Sequence, residues 1–106
     1  MAVILASDSD FKEVLNSNQK VVVKYYADWC GSCRLFSPKF KRMSDDENFA
    51  NIAFVDVNAE TSPEARKMAN VTNLPFFAVF KNGQLVDSVA ASKEEAVLAL
   101  IHKLDA

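Results

Sequence analysis

The sequence is poor in cysteine, histidine and glycine: of 106 residues, two are Cys, one is His and two are Gly. Two cysteines cannot build the multi-bridge framework of a small secreted domain. With one histidine, His102, and no third cysteine, an intrachain zinc or iron–sulfur site lacks ligands, so no metal is expected. An excess of charge of one sign is also missing. Twelve Lys+Arg stand against fourteen Asp+Glu, and the formal net charge is −2. The longest like-charge run is Asp45-Asp46-Glu47, a solubilising helix end. Nothing forms the basic footprint of a protein that binds nucleic acid or an anionic membrane. No apolar run nears the ~18 residues of a membrane span. The opening Met1-Ala2-Val3-Ile4-Leu5-Ala6 lacks the basic flank and the length of a secretion signal. The cytoplasm is the expected location.

Core-forming material is abundant. Half of the residues are hydrophobic, with eight Phe, two Tyr and one Trp. The length fits one domain over 1–106, able to bury roughly 60–70% of its unfolded surface without staples. Tyr25 and Tyr26 are expected in or at the edge of that core.

The hydrophobic pattern alternates between strand and helix. Val3-Ile4-Leu5 reads as a first strand. Ser7 opens a helix with Phe11, Val14 and Leu15 on one face, ended by Asn16-Ser17-Asn18. Val21 to Ala27 is apolar on both faces except at Lys24, which predicts a central strand covered on both sides. A helix follows from the Cys30-Gly31-Ser32-Cys33 turn, with Phe36, Phe40 and Met43 inward and Pro38 inside it. Ile52 to Val57 is a second central strand, broken by Asp56. Thr61-Ser62-Pro63-Glu64 starts a helix with Ala65, Met68 and Ala69 inward. Phe76 to Phe80 and Leu85 to Ala90 form a hairpin around Asn82-Gly83. Ser92-Lys93-Glu94-Glu95 reads as a capping box for a last helix bearing Val97, Leu100, Ile101 and Leu104. The order βαβαβαββα predicts an α/β domain with a mixed sheet between helical layers.

The chemistry centres on Cys30 and Cys33. A Cys-x-x-Cys between a strand and a helix puts two sulfurs within disulfide reach at a helix N-terminus. Unpaired N–H groups and the helix dipole there stabilise a thiolate on Cys30, and the thiolate is the nucleophile. Cys33, one turn further in, can then attack a mixed disulfide formed at Cys30. Trp29 supplies an apolar platform beside the sulfur. Two other readings stand at this point: a half-site for a metal shared between chains, and two inert buried thiols. Ser32 and Ser37 have no nearby histidine in sequence, so a serine nucleophile is unsupported. His102 falls on the polar side of the last helix.

Trp29-Cys30-Gly31-Ser32-Cys33-Arg34 resembles the signature of the thioredoxin family, Trp-Cys-Gly-Pro-Cys-Lys. Pro38 matches that family's helix proline, Leu74-Pro75 its cis-proline, and Phe80-Lys81-Asn82-Gly83 its hairpin. The resemblance covers essentially the whole chain. It implies a thioredoxin fold, a three-layer α/β/α sandwich on a five-stranded sheet ordered 1-3-2-4-5. It implies protein-disulfide reduction or exchange by a monomer with no cofactor beyond the Cys30–Cys33 pair. It implies disulfide-containing protein substrates, and a thioredoxin reductase or a dithiol as electron donor. It also implies a substrate groove of Trp29, Leu74, Pro75, Phe76 and Ala90, with substrate backbone pairing at residue 74. The alternative within this fold is a binding or scaffold protein whose thiols are incidental.

Several residues depart from the family pattern. Lys24 stands where a buried Asp is usual, and Asp56 where bacterial members often place Lys. The exchange predicts a partly buried Lys24–Asp56 ion pair beneath the active site that tunes proton transfer; the rival is Lys24 snorkelling outward. Ser32 replaces the rigid proline. A cation near the sulfurs and a hydroxyl in the turn both favour the reduced form. Phe76, Ala90 and Asn73 replace smaller family residues near the substrate surface, which predicts altered substrate choice.

Overall fold

The computed structural model describes residues 3–105. Five strands form one sheet: β1 (Ile4–Ala6), β2 (Lys20–Tyr26), β3 (Ala53–Asn58), β4 (Phe76–Lys81) and β5 (Gln84–Ala90). Their order across the sheet is β1-β3-β2-β4-β5. The first three run parallel, β4 is antiparallel to β2, and β5 is antiparallel to β4. The helices are α1 (Phe11–Ser17), α2 (Gly31–Ser44), α3 (Pro63–Met68) and α4 (Glu94–His102), with short 3-10 turns at Glu47–Phe49 and Lys103–Asp105. None of them is long and apolar enough among the described residues to cross a membrane.

Strand alternation divides the core into two layers. Val21, Val23 and Tyr25 join Phe76, Ala78 and Phe80 on one face, under Phe11 and Leu15 of α1 and Ala65 of α3. Val22, Phe54, Phe77 and Val79 lie on the other face, under Phe36, Phe40 and Met43 of α2 and Val97, Leu100 and Ile101 of α4. Phenylalanines fix α2 to the sheet. The Phe36–Phe77, Phe40–Phe54 and Phe40–Phe77 rings lie 4.9, 5.2 and 5.8 Å apart in edge-on or tilted contact. Such pairs each add about 0.5–1.5 kcal/mol beyond burial. The helix that carries both cysteines is therefore anchored at its middle. Asn82 and Gly83 take positive φ, 54° and 80°, as a tight hairpin turn requires.

Three local expectations are corrected. Helix α1 begins at Phe11, not at Ser7. The Ser7 N–H donates to Asp10 Oδ1 at 2.8 Å, and the Phe11 N–H donates to the Ser7 carbonyl at 2.9 Å. Short polar side chains here bind the local backbone and replace helix with a turn. The capping box at Ser92 does not form, because the N-cap position of α4 is Lys93, whose side chain makes no capping bond. Leu104 lies in the 3-10 turn after α4, fully buried.

The Ser7–Asp10 turn caps a different helix. Asp8 accepts from the Glu64 and Ala65 N–H groups at the start of α3, at 3.1 and 2.9 Å. Ser62, the N-cap residue itself, makes no side-chain cap, and its buried hydroxyl has no hydrogen-bond partner among the described residues. Asp8→Ala is therefore expected to cost about 1 kcal/mol of stability, while Ser62→Ala leaves stability level or raised. Denaturant midpoints at unchanged slope check this; the reverse ranking would contradict the assignment.

Candidate active site

Strand β2 delivers the chain to the site. After Tyr26 the backbone turns, with the Cys30 N–H donating to the Ala27 carbonyl at 3.1 Å, and α2 begins at Gly31. Cys30 is the N-cap residue of α2, and its Sγ accepts from the Cys33 N–H at 3.2 Å. Cys30 and Cys33 are joined as a disulfide with Cα atoms 5.3 Å apart. Ser32 Oγ lies 3.7 Å from Cys30 Sγ, within reach of a weak hydrogen bond to sulfur. A Cβ on Gly31 would meet nothing within 4 Å, so the approach over the turn is open. The two cysteines are 4% and 2% exposed. The expected difference in access between them is thus small in the disulfide form.

Trp29 is 66% exposed, and its indole N–H donates to Glu60 Oε2 at 2.7 Å. Glu60 was not singled out from the sequence. The β2–β3 register continues past the strand ends through the Ala59 N–H bond to the Tyr26 carbonyl, 2.8 Å, and this brings residue 60 beside the loop after β2. That register was the available signal.

The Leu74–Pro75 peptide is cis. Leu74 packs against Ala27, Cys30 and Cys33. A cleft of about 210 Å³ is lined by Ser32, Asn73, Leu74, Pro75, Ala90, Ala91 and Ser92. Two expected groove residues lie elsewhere. Phe76 is only 6% exposed and sits in the core, its ring 6.3 Å from that of Tyr25. Strand parity explains this: Phe76 shares the α1/α3 face with Ala78 and Phe80. Trp29 does not line this cleft and is held beside Glu60 instead.

A second cleft, about 260 Å³, is lined by Lys24, Tyr26, Ala27, Asp28, Cys33, Arg34, Ser37 and Asp56. Lys24 and Asp56 are register partners on β2 and β3. Lys24 is 1% exposed and does not snorkel; its Nζ lies 3.5 Å from Asp56 Oδ1. The contact is an ion pair without good hydrogen-bond alignment, since that buried oxygen has no hydrogen-bond partner among the described residues. Burial pushes the Lys24 amine below its ordinary value, and Asp56 opposes the shift. Burial likewise pushes the Asp56 carboxyl up, against the pull of Lys24. Burial, with Asp56 and Asp28 adding to it, raises the Tyr26 phenol. Lys24 Nζ also donates to Ser37 Oγ at 2.6 Å and lies 5.4 Å from the centre of the Phe40 ring. His102 is exposed, its ring 6.3 Å from that of Phe49 in edge-on contact, and it does not line this cleft.

The sequence profile of the Thioredoxin family matches residues 2–103. Thioredoxin 1 of Plasmodium falciparum is 30% identical over 103 residues, covering 97% of each chain. Thioredoxin of Equus caballus is 34% identical over 102 residues, covering 94% of this chain and 95% of its own length. The solved structure of Plasmodium falciparum thioredoxin superposes with a TM-score of 0.86 at 29% identity, over 95% of this chain and 98% of that one. A helix-capping disulfide in this fold, matched over nearly the whole length, identifies the chain as a member of the thioredoxin family and a protein thiol–disulfide oxidoreductase.

Proposed function

We propose that Cys30 is the attacking thiol and Cys33 the resolving thiol in the reduction of protein disulfides. The observation that carries this reading is Cys30 at the N-cap of α2 with its sulfur facing the Cys33 N–H. In the dithiol form the Cys30 thiolate attacks a substrate disulfide, forming a mixed disulfide and releasing one substrate thiolate. Cys33, as thiolate, then attacks Cys30 Sγ and releases the second. Two electrons pass to the substrate, and the Cys30–Cys33 disulfide is the product. No further cofactor enters this sequence. The substrate backbone lies along Leu74 and Pro75 in the cleft closed by Ala90, and Trp29 forms an exposed apolar wall on Glu60. A dithiol or a thioredoxin reductase returns the electrons, and the chain works as a monomer in the cytoplasm. Reduction of insulin by dithiothreitol tests the core of this reading. Acceleration by the native chain is expected, and none would remove it.

The same reading includes the tuning of the pair. Lys24 and Cys33 line one cleft, and Ser32 Oγ approaches Cys30 Sγ. A cation and a hydroxyl both favour thiolate over disulfide, which makes the disulfide a better oxidant. The reduction potential is expected to be less negative than the ~−270 mV typical of thioredoxin. Equilibration with glutathione buffers measures it, and an equal or more negative value contradicts the tuning.

A further inference from the structure

Ser37 lies one helical turn beyond Cys33. Its hydroxyl donates to the Cys33 carbonyl at 3.2 Å and accepts from Lys24 Nζ at 2.6 Å. A hydroxyl carries one proton and two acceptor sites, so both bonds form together. Ser37 thereby links the backbone of the resolving cysteine to the buried amine of the neighbouring strand. Its hydroxyl makes the shortest polar contact to Nζ among the described residues; Asp56 Oδ1 is further, at 3.5 Å, and the Phe40 and Tyr26 rings lie at 5.4 and 5.9 Å. An ion pair at that distance and two ring faces attract the amine without aiming it. The short hydrogen bond aims it.

We propose that Ser37 is a positioning residue for the resolving half-reaction, holding the Lys24 ammonium in the cleft beside Cys33 so that its charge favours the Cys33 thiolate. This rests on the roles proposed above for Cys30 and Cys33. In the step, the Cys33 S–H gives its proton to water in the cleft, and the Lys24 ammonium stabilises the Cys33 thiolate that forms. The thiolate forms the S–S bond to Cys30, and the bond from Cys30 to the substrate sulfur breaks, its electron pair leaving on the substrate thiolate. The departing thiolate then takes a proton from water. Asp56 from β3 favours the ammonium, and Tyr26 of β2, Asp28 of the following loop and Arg34 of α2 complete the ionisable lining.

Reduced protein mixed with 5,5′-dithiobis(2-nitrobenzoate) separates the two steps. Attack by Cys30 releases one thionitrobenzoate, and resolution by Cys33 releases the second. Ser37→Ala is expected to slow the second phase about tenfold or more and to displace its pH profile, leaving the first phase as in the native chain. Ser37→Thr, which keeps the hydroxyl, restores the second phase. In a Lys24→Met background, Ser37→Ala adds no further loss. A native second phase and pH profile in Ser37→Ala, or an equal loss with and without Lys24, would overturn the proposal. Failure of the underlying reading looks different: the native chain would release only one equivalent, or Cys33→Ser would lose the first phase.

Discussion

Cys30→Ser is expected to return insulin reduction to the dithiothreitol background, a loss of more than about a thousandfold in catalysed turnover. The hydroxyl of serine has no partner base here and stays protonated at neutral pH, so the N–H group of Cys33 that faces the sulfur has no thiolate to stabilise. The fold itself should survive, since Cys30 contributes only a small patch with Ala27, Cys33 and Leu74. Cys33→Ser is expected to fail differently. Attack at Cys30 proceeds once, and the chain stops as a mixed disulfide because no second sulfur is in reach. Equal and complete turnover by either variant would mean that exchange occurs outside the helix N-terminus.

Lys24→Met is expected to be the most destabilising single change near the site. It strips the partner from Asp56 while leaving that carboxylate facing a mostly covered cleft. Breaking a buried ion pair costs about 3–5 kcal/mol, and the 26% exposure of the Asp56 side chain puts this case at the low end. The double change Lys24→Met with Asp56→Leu is expected to recover that loss, because removing both charges also removes both desolvation costs. The pH dependence has a definite sign. Burial depresses the Lys24 amine, so its contribution to stability is fully present above pH 10.5 and is lost as pH falls through the depressed value. Burial raises the Asp56 carboxyl, so its contribution is present below pH 3.8 and is lost as pH rises through the raised value. The native chain should therefore gain stability as pH rises from the depressed Lys24 value toward 10.5, and Lys24→Met should lose that rise. Chemical denaturation over this range checks both points. A flat native profile there, or a double variant no more stable than Lys24→Met, would contradict the burial argument.

The order of strands and helices along the chain, the hairpin and the helix-opening cysteines were legible in the sequence because each leaves a local mark, whereas the sheet order came only from the family resemblance. Near-continuous apolar runs mark β2 and β3, Asn82-Gly83 marks the β4–β5 turn, and Cys30 to Cys33 spans one turn. The Lys24–Asp56 pair was legible as well, since each charge interrupts an apolar strand and the strands are neighbours. Long-range contacts were not. Nothing near Ser7 shows that Asp8 will cap a helix some 56 residues away, and the Ser92 box failed because the chain enters α4 one residue late. Phe76 was misplaced by following a family alignment rather than strand parity, which sends its ring into the α1/α3 layer beside Tyr25. Glu60 and Ser37 emerged only when register and helix packing brought them to Trp29 and Lys24.

Mass spectrometry of the trapped intermediate tests the division of labour between the cysteines most directly. Cys33→Ser, reduced and then mixed with a disulfide-containing protein, should accumulate a one-to-one mixed disulfide linked through Cys30, and Cys30→Ser should accumulate none. A mixed disulfide that forms as readily through Cys33 in the Cys30→Ser chain would contradict the assignment of attack to the N-cap sulfur.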